Sequence, residues 1–450
     1  MTADELCEWL RDGRTSQREK LDAIDTHIAA IRALHDDDHA RVIRELKKRL
    51  KSPKLDGELA ALVALLVDRP ANPRVQPGVP KPRPAMSIIE GDQRSQLEAA
   101  ILADPTTRDS YIVLGDWLEA HGDPQGALVT IGQELAKNPG HKAMLAAHAA
   151  HLKAHAAAIL GPLAGCAAVS QLDWFMGFIK SARVSQRASP PVPTVEAILD
   201  WLLDEPGPGR FLQDLTIGLV GGASKYDAAT AALARRRRAL RTLFIGEFAQ
   251  EECELNWTDL GDLTPLWPMV PELRELTLRG GTMAIGSIDL PKLETLTTIT
   301  GGLPHDSLAA IAAASWPALH TLSLHVGMQS EGAAGDVSVL APLLAGDRVP
   351  KLRTLGIVNC EFVDELLVLL AESPLLPRLE ALDVSLGTMS DAGVQTLLQH
   401  ADRFAHLRVN VEDNYLPADA HDRLSERIQH VHFGAQRVTW NGARYASMCE

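Results

Sequence analysis

The chain is poor in the features that usually advertise chemistry. Aromatic residues occupy only 4% of its 450 positions, too few to suggest an aromatic-lined ligand pocket. The five cysteines, Cys7, Cys166, Cys253, Cys360 and Cys449, stand far apart with no Cys-x-x-Cys pair. That usage suits a reducing cytoplasm and offers no zinc site. No run of about 18 apolar residues is present to span a membrane, and the opening MTADELCEWLRDGRTS has no apolar signal-peptide core; a cytoplasmic location is expected. Positive charge is in deficit: a net charge of −14 argues against nucleic acid as the main partner, because phosphate binding needs a dominant basic surface. Neither Gly-x-x-x-x-Gly-Lys-Ser/Thr nor Gly-x-Ser-x-Gly occurs, which removes a phosphate cradle of that type and the usual nucleophile elbow. At 46% hydrophobic and 23% charged residues the chain is nonetheless globular. Its length exceeds one ordinary core, so several domains or a repeat array are expected.

What is abundant is leucine at a recurring spacing. Leu-x-x-Leu-x-Leu, or a close variant, starts at Leu212, Leu240, Leu273, Leu293, Leu319, Leu352, Leu379 and, degenerately, His406, at intervals of 28, 33, 20, 26, 33, 27 and 27 residues. Position four of each unit reads Leu215, Leu243, Leu276, Leu296, Leu322, Leu355, Leu382 and Val409; position six reads Ile217, Ile245, Leu278, Thr298, Leu324, Ile357, Val384 and Val411. A period of two is that of a strand with alternate side chains buried. Eight strands are therefore expected, with Thr298 the one polar exception at an inward position. The stretches between them read as helix where they are long enough, over 227–239, 306–315, 363–372 and 391–400.

One strand and one helix per unit of about 28 residues resembles the ribonuclease-inhibitor-like class of leucine-rich repeats. The clearest unit is LEALDVSLGTMSDAGVQTLLQHADRFAHL. The resemblance implies an α/β solenoid, a horseshoe with parallel strands on the concave face and helices on the convex face, preceded by all-α modules. The chain departs from the family at position nine, where Asn or Cys is usual. Here that position reads Val220, Phe248, Gly281, Gly301, Gly327, Cys360, Gly387 and Asn414, so an irregular, less tightly curved array is expected. Cys360 and Asn414 are read as structural.

Upstream, residues 1–69 read as a helical module, with Ile24, Ile28 and Ile31 on one stripe and Val42, Ile43, Leu46 and Leu50 on another; a third helix is expected over 58–67. The acidic stretch at 36–39 reads as a cap for the second helix. Six prolines between residues 70 and 84 forbid helix and make 70–86 a semi-stiff linker. Residues 87–160 form a second helical module, with helices over 93–102, 109–121, 125–137 and 141–160, Gly122 ending the second of them. Residues 161–205 cap the array with a strand over 171–184 and a helix over 195–203, and 206–450 carry the repeats and a C-terminal cap. Asp116-Trp117-Leu118-Glu119, Gly122-Asp123, Ala127 and Gln133, with Trp174-Phe175-x-Gly177-Phe178-Ile179 and Arg444-Tyr445-Ala446-Ser447, resemble the repeat-companion domain found in large bacterial paralogue sets. This resemblance covers about 90–450 and implies architecture without an activity. Leu114, Gly115, Gly122, Ala127 and Pro139 also fall at tetratricopeptide spacings, but no adjacent second copy follows, and Trp117 and Leu118 read as core anchors of a helical hairpin.

The remaining clusters are weak sites for chemistry. His141, His148, His151 and His155 share one helix face, but Leu152 stands where a zincin needs Glu, so they read as a solvated face and not a metal site. Asp36–Asp38 lacks the spacing of a calcium loop. Arg235–Arg238 read as a solvated helix surface. The basic run Arg41, Arg44, Lys47, Lys48, Arg49, Lys51 and Lys54 sits in a separate module and is a candidate for an acidic partner.

If the strands present one face to a partner, the residues alternating with the inward positions form it. Asp214, Thr216, Phe244, Glu275, Arg279, His325, Asp383, Arg408, Asn410 and Glu412 are the candidate contacts. Serine and threonine dominate that face, and Phe244 is its one aromatic. Trp257 and Trp267, in the insertion 247–269, are further candidates, with Trp267 read first as a packing plug. The reading of the sequence is a non-enzymatic protein–protein interaction protein, without cofactor, whose N-terminal helical module makes a second contact. The alternatives are an effector or enzyme whose activity resides in residues 1–85, and a structural or self-associating paralogue.

Overall fold

A computed structural model describes residues 3–11, 20, 24, 31, 36–49, 63, 66, 90–187, 193–204, 207–221, 225–235 and 239–446. The expected linker 70–86, most of the expected helix over 58–67, Ile28, Arg236–Arg238 and Cys449 lie outside them. The chain divides into two compact units: residues 1–159 together with 175–177, and residues 160–174 together with 178–450.

The first unit is helical. Helices Ala3–Arg11 and Asp36–Arg49 bury Leu6, Leu10, Val42, Ile43 and Leu46 with Ile24, Ile31, Val63 and Leu66. Asp36–Asp38 lie within the helix instead of preceding it. Arg44, Lys47 and Lys48 are exposed, because the apolar stripe at 42, 43 and 46 takes the opposite side of the same helix.

Four further helices follow, Glu90–Ala103, Arg108–Ala120, Pro124–Lys137 and Lys142–Ala154. Gly122, at φ 74°, ends the second in the left-handed conformation that glycine adopts without strain. Asp123 then caps the third by accepting from the Gln125 amide at 2.9 Å, with Pro124 at its first position. Gly115 allows the second and third helices to approach closely, since a Cβ there would strike Val129. The expected single helix 141–160 is instead broken at His155, whose backbone leaves the helical region at φ −118° and ψ 21°.

The second unit is α/β, built on an open eleven-stranded sheet. Its strands are β1 (Val169–Phe175), β2 (Phe178–Gln186), β3 (Asp214–Val220), β4 (Thr242–Ile245), β6 (Glu275–Arg279), β8 (Thr295–Ile299), β9 (Thr321–Gly327), β10 (Thr354–Cys360), β11 (Ala381–Asp383), β12 (Arg408–Asn410) and β13 (His430–His432). They lie side by side in chain order, and every pairing from β2 to β13 is parallel. The strands β5 (Asp259–Asp262) and β7 (Thr282–Ala284) form a separate parallel pair. The expected single strand over 171–184 is two strands, because Met176 and Gly177 both take positive φ (50° and 80°) and make a two-residue hairpin turn. Two strands join the eight expected ones in the parallel stack: β2 upstream and β13 downstream.

The register explains the leucine pattern. Leu215, Leu243, Leu276, Leu296, Leu322, Leu355, Leu382 and Val409 are direct neighbours from strand to strand, and all are buried. They pack against the apolar faces of helices that include Val195–Leu203, His305–Ala313, Val363–Glu372 and Asp391–Gln399 in one continuous core. The helix expected over 227–239 is shorter, Asp227–Leu233. Trp267 is the expected plug: it is buried, and its indole donates to the Ile285 carbonyl at 2.8 Å.

Candidate interaction face

The side chains that alternate with the buried stack form a polar face in two long rows. One runs Asp214, Thr242, Glu275, Thr295, Thr321, Thr354, Ala381, Arg408, His430; the other runs Thr216, Phe244, Thr277, Thr297, Ser323, Gly356, Asp383, Asn410, His432. Arg279 and His325 sit one step further along their strands, beside Ile299 and Val358 respectively, and Glu412 lies just beyond β12. The ten sequence-predicted residues therefore share one face. Adjacent strands place them roughly 4.8 Å apart along a row.

Most of their charge is already committed within the chain. Asp214 accepts from the Ser181 hydroxyl at 3.1 Å and lies 3.6 Å from the Lys180 ammonium. Asp383 accepts from the Ser385 amide at 2.9 Å, and Asn410 accepts from the Glu412 amide at 3.2 Å. The Glu412 carboxylate faces His432 at 3.3 Å. Arg279 covers the Phe248 ring at 4.5 Å and donates to the Phe248 carbonyl; desolvation pulls its pKa down, against the attraction of Glu247. The imidazole of His325 has its Nδ1 sealed from solvent with no hydrogen-bond partner among the described residues. Burial lowers its pKa from 6.5 to about 4, opposed by Asp383, so it is neutral at physiological pH. Glu275 and Arg408 differ: both are exposed, and neither has an ion-pair partner among the described residues.

Toward one end of the face lies a polar cluster that the sequence only half revealed. Arg183 on β2 pairs through Nε with Glu247 at 2.5 Å and reaches the Glu247 carbonyl at 3.3 Å. Beneath it Tyr226 is fully buried, with its hydroxyl donating to the Gly218 carbonyl at 3.0 Å, and burial pushes its pKa well above the ordinary value. Gly246, at φ 88°, is required here because a Cβ would run into the Arg279 carbonyl. Arg183 was missed because β2 was not recognised as an array strand. The available signal was Ala182 and Val184 alternating as Leu215 and Ile217 do, with which they pair.

The other candidates lie elsewhere. Cys360 is fully buried, and burial raises its thiol pKa. Asn414 is fully buried; its Oδ1 accepts from the Met389 amide at 2.8 Å, and its Nδ2 donates to the carbonyls of Val384, Val411 and Glu412 at 2.9, 3.1 and 3.3 Å. Trp257 is 68% exposed. Trp117 is half-buried, donating to Gln93 at 3.1 Å and stacked on His121 at 3.9 Å, while Leu118 is fully buried. His151 lies 2.8 Å from the Pro124 carbonyl and its ring sits 4.5 Å from that of His155. Arg235 pairs with Asp200. Among the described residues no group of three or more His, Cys, Asp or Glu side chains is arranged to hold a metal, and no helix is long and apolar enough to cross a membrane.

No family model matches the sequence, and no curated protein matches it. Among solved structures, the crystal structure of a Bacteroides fragilis protein determined by a structural-genomics consortium is similar. It shares 30% identity over 56% of this chain and 71% of that chain, with a TM-score of 0.47.

Proposed function

We propose that the chain is a non-enzymatic interaction protein of the leucine-rich-repeat kind, a cytoplasmic solenoid whose polar strand face receives a protein partner. The observation that supports this most is the register. Leucines stacked strand upon strand on the inner face leave two rows on the other in which threonine and serine predominate. A repetitive scaffold of this type presents an extended surface for recognition. Glu275 and Arg408 are the charged residues left available on it, and with Thr216 and Phe244 they are the proposed first contacts. A second, tethered contact is assigned to the helix Asp36–Arg49, whose exposed Arg44, Lys47 and Lys48 suit an acidic partner.

Affinity capture with the full chain and with a chain lacking residues 1–85 tests the reading. Partners retained by the shorter chain support the polar face. Partners captured only by the full chain would overturn it, in favour of an effector whose activity resides in residues 1–85.

A further inference from the structure

We propose, resting on the polar strand face as the contact surface, that its occupant is a single α-helix of about 16 residues. The helix lies across the strands from Arg408 to Glu275, with acidic side chains in its first turn and basic ones in its last.

Glu275 and Arg408 stand in one row. Between them the register places Thr295, Thr321, Thr354 and Ala381 on successive strands, all uncharged, short and partly exposed. Five strand spacings of about 4.8 Å separate the two ends, or about 24 Å. The charges that flank the row are paired with one another: Arg274 with Glu294 at 2.5 Å and Arg353 with Glu380 at 3.8 Å. In the second row the one charge over the same span is Asp383, which accepts from the Ser385 amide. The track thus consists of small side chains, with an uncommitted negative charge at one end and an uncommitted positive charge at the other.

The backbone disfavours an extended occupant. The strands β6, β8, β9, β10, β11 and β12 are interior, each paired on both sides, so their amides and carbonyls are spent within the sheet. Strand addition needs a free edge, and this face has none. An extended peptide here would leave its own backbone groups to water or to scattered hydroxyls, whereas a helix satisfies them internally. A helix also matches the repeat. Its turns recur about every 5.4 Å against about 4.8 Å between strands, so one turn meets one strand with a slippage of about 3 Å over the whole track. Short threonine and alanine side chains let it approach closely.

Charge fixes the direction. Helices favour acidic residues in the first turn and basic residues in the last. An acidic first turn at Arg408 and a basic last turn at Glu275 bring unlike full charges together at both ends. The bare helix dipole favours the opposite direction, but it amounts to about half a charge at each end, and the full side-chain charges outweigh it.

Fluorescence-anisotropy titration of the full chain with two synthetic helices of about 16 residues tests the proposal. The two peptides have one composition, and each carries a hydrocarbon staple on its outward side so that both stay helical. One has glutamates in the first turn and lysines in the last; the other has these blocks exchanged. A third peptide has prolines at its centre and cannot form the helix. The first peptide should bind with a Kd on the order of tens of micromolar, about tenfold tighter than either of the others. With a chain carrying Glu275→Arg and Arg408→Glu, the preference between the two helices should invert. Both positions are exposed, so an unchanged thermal melt is expected of that variant. Equal binding of the two helices, a preference that does not invert, equal binding of the proline peptide, or no binding of either helix overturns the proposal. Its failure stays distinct from failure of the polar face. If the peptides fail while the double variant still loses its captured protein partner, the face stands without the helix; if the variant keeps that partner, the face falls as well.

Discussion

The two halves of the array solve one problem differently. Around β11 to β13 a loop turn is held by a single side chain: Asn414, fully buried, bonds four backbone groups of its own and the preceding segment. Around β6 to β8, where Gly281 and Gly301 stand at the equivalent position, the same need is met piecemeal. Thr300 donates to the Gly281 carbonyl and accepts from the Gly302 amide at 3.1 and 3.2 Å. Thr258 donates to the Leu255 carbonyl and accepts from the Gly281 amide at 2.6 and 3.0 Å. Ser307 donates to the Met283 carbonyl and accepts from the Ile285 amide at 2.9 and 3.2 Å. The strand core is nearly identical in both halves, while the polar loop wiring is not. Buried backbone groups must find a partner, but the partner's identity is free, so the apolar stack carries the repeat and the loops improvise.

This contrast can be broken from either side. The largest effect is expected in the common core: Leu322→Ala, in the centre of the leucine stack, should cost about 3–5 kcal/mol, read by denaturant unfolding. A loss below about 1 kcal/mol would mean that the stack is not the source of stability. Next comes the loop wiring. Asn414→Ala strands four backbone groups and should cost about 2–3 kcal/mol, against about 1 for Thr300→Val, which strands two. Equal losses would erase the distinction between the loop held by one side chain and those wired piecemeal.

Acidification gives the third effect. His325 has its pKa lowered from 6.5 to about 4, so the unfolded chain binds its proton more readily. The stability it contributes is complete above pH 6.5 and is lost as pH falls towards 4. With an allowance for the ring's partial exposure the loss is about 2 kcal/mol. His325→Leu should flatten the stability profile across that window, and a profile unchanged by the substitution would contradict the assignment. The smallest effect has the opposite sign. Thr298 places a buried hydroxyl, without a hydrogen-bond partner among the described residues, in a row of aliphatic side chains. Thr298→Val should therefore raise stability by about 1 kcal/mol, visible as a higher melting temperature.

The difference between the halves also explains what could be read in advance. Positions four and six follow from the pleat alone, and the helices Val195–Leu203 and Val363–Glu372 have the bounds their apolar stripes suggest. The sequence concealed whatever depends on contacts distant along the chain. The turn at Met176–Gly177 lacks the usual Asn-Gly signal. The strand β2 carries Ala182 and Val184 where leucine marks its neighbours, and β13 is a three-residue strand with one inward side chain, Val431. The face itself was legible, because alternation places Glu275 and Arg408 upon it. Which of its charges are spent was not, since Lys180, Ser181 and Glu247 reach theirs from other elements.

The central claim is that a protein partner occupies the polar rows, and the two uncommitted charges test it most directly. Capture of the partner by the full chain should be abolished, or weakened by at least about tenfold, when Glu275→Arg and Arg408→Glu are combined, with the thermal melt unchanged. Undiminished capture of the same partner by the folded double variant would contradict the account.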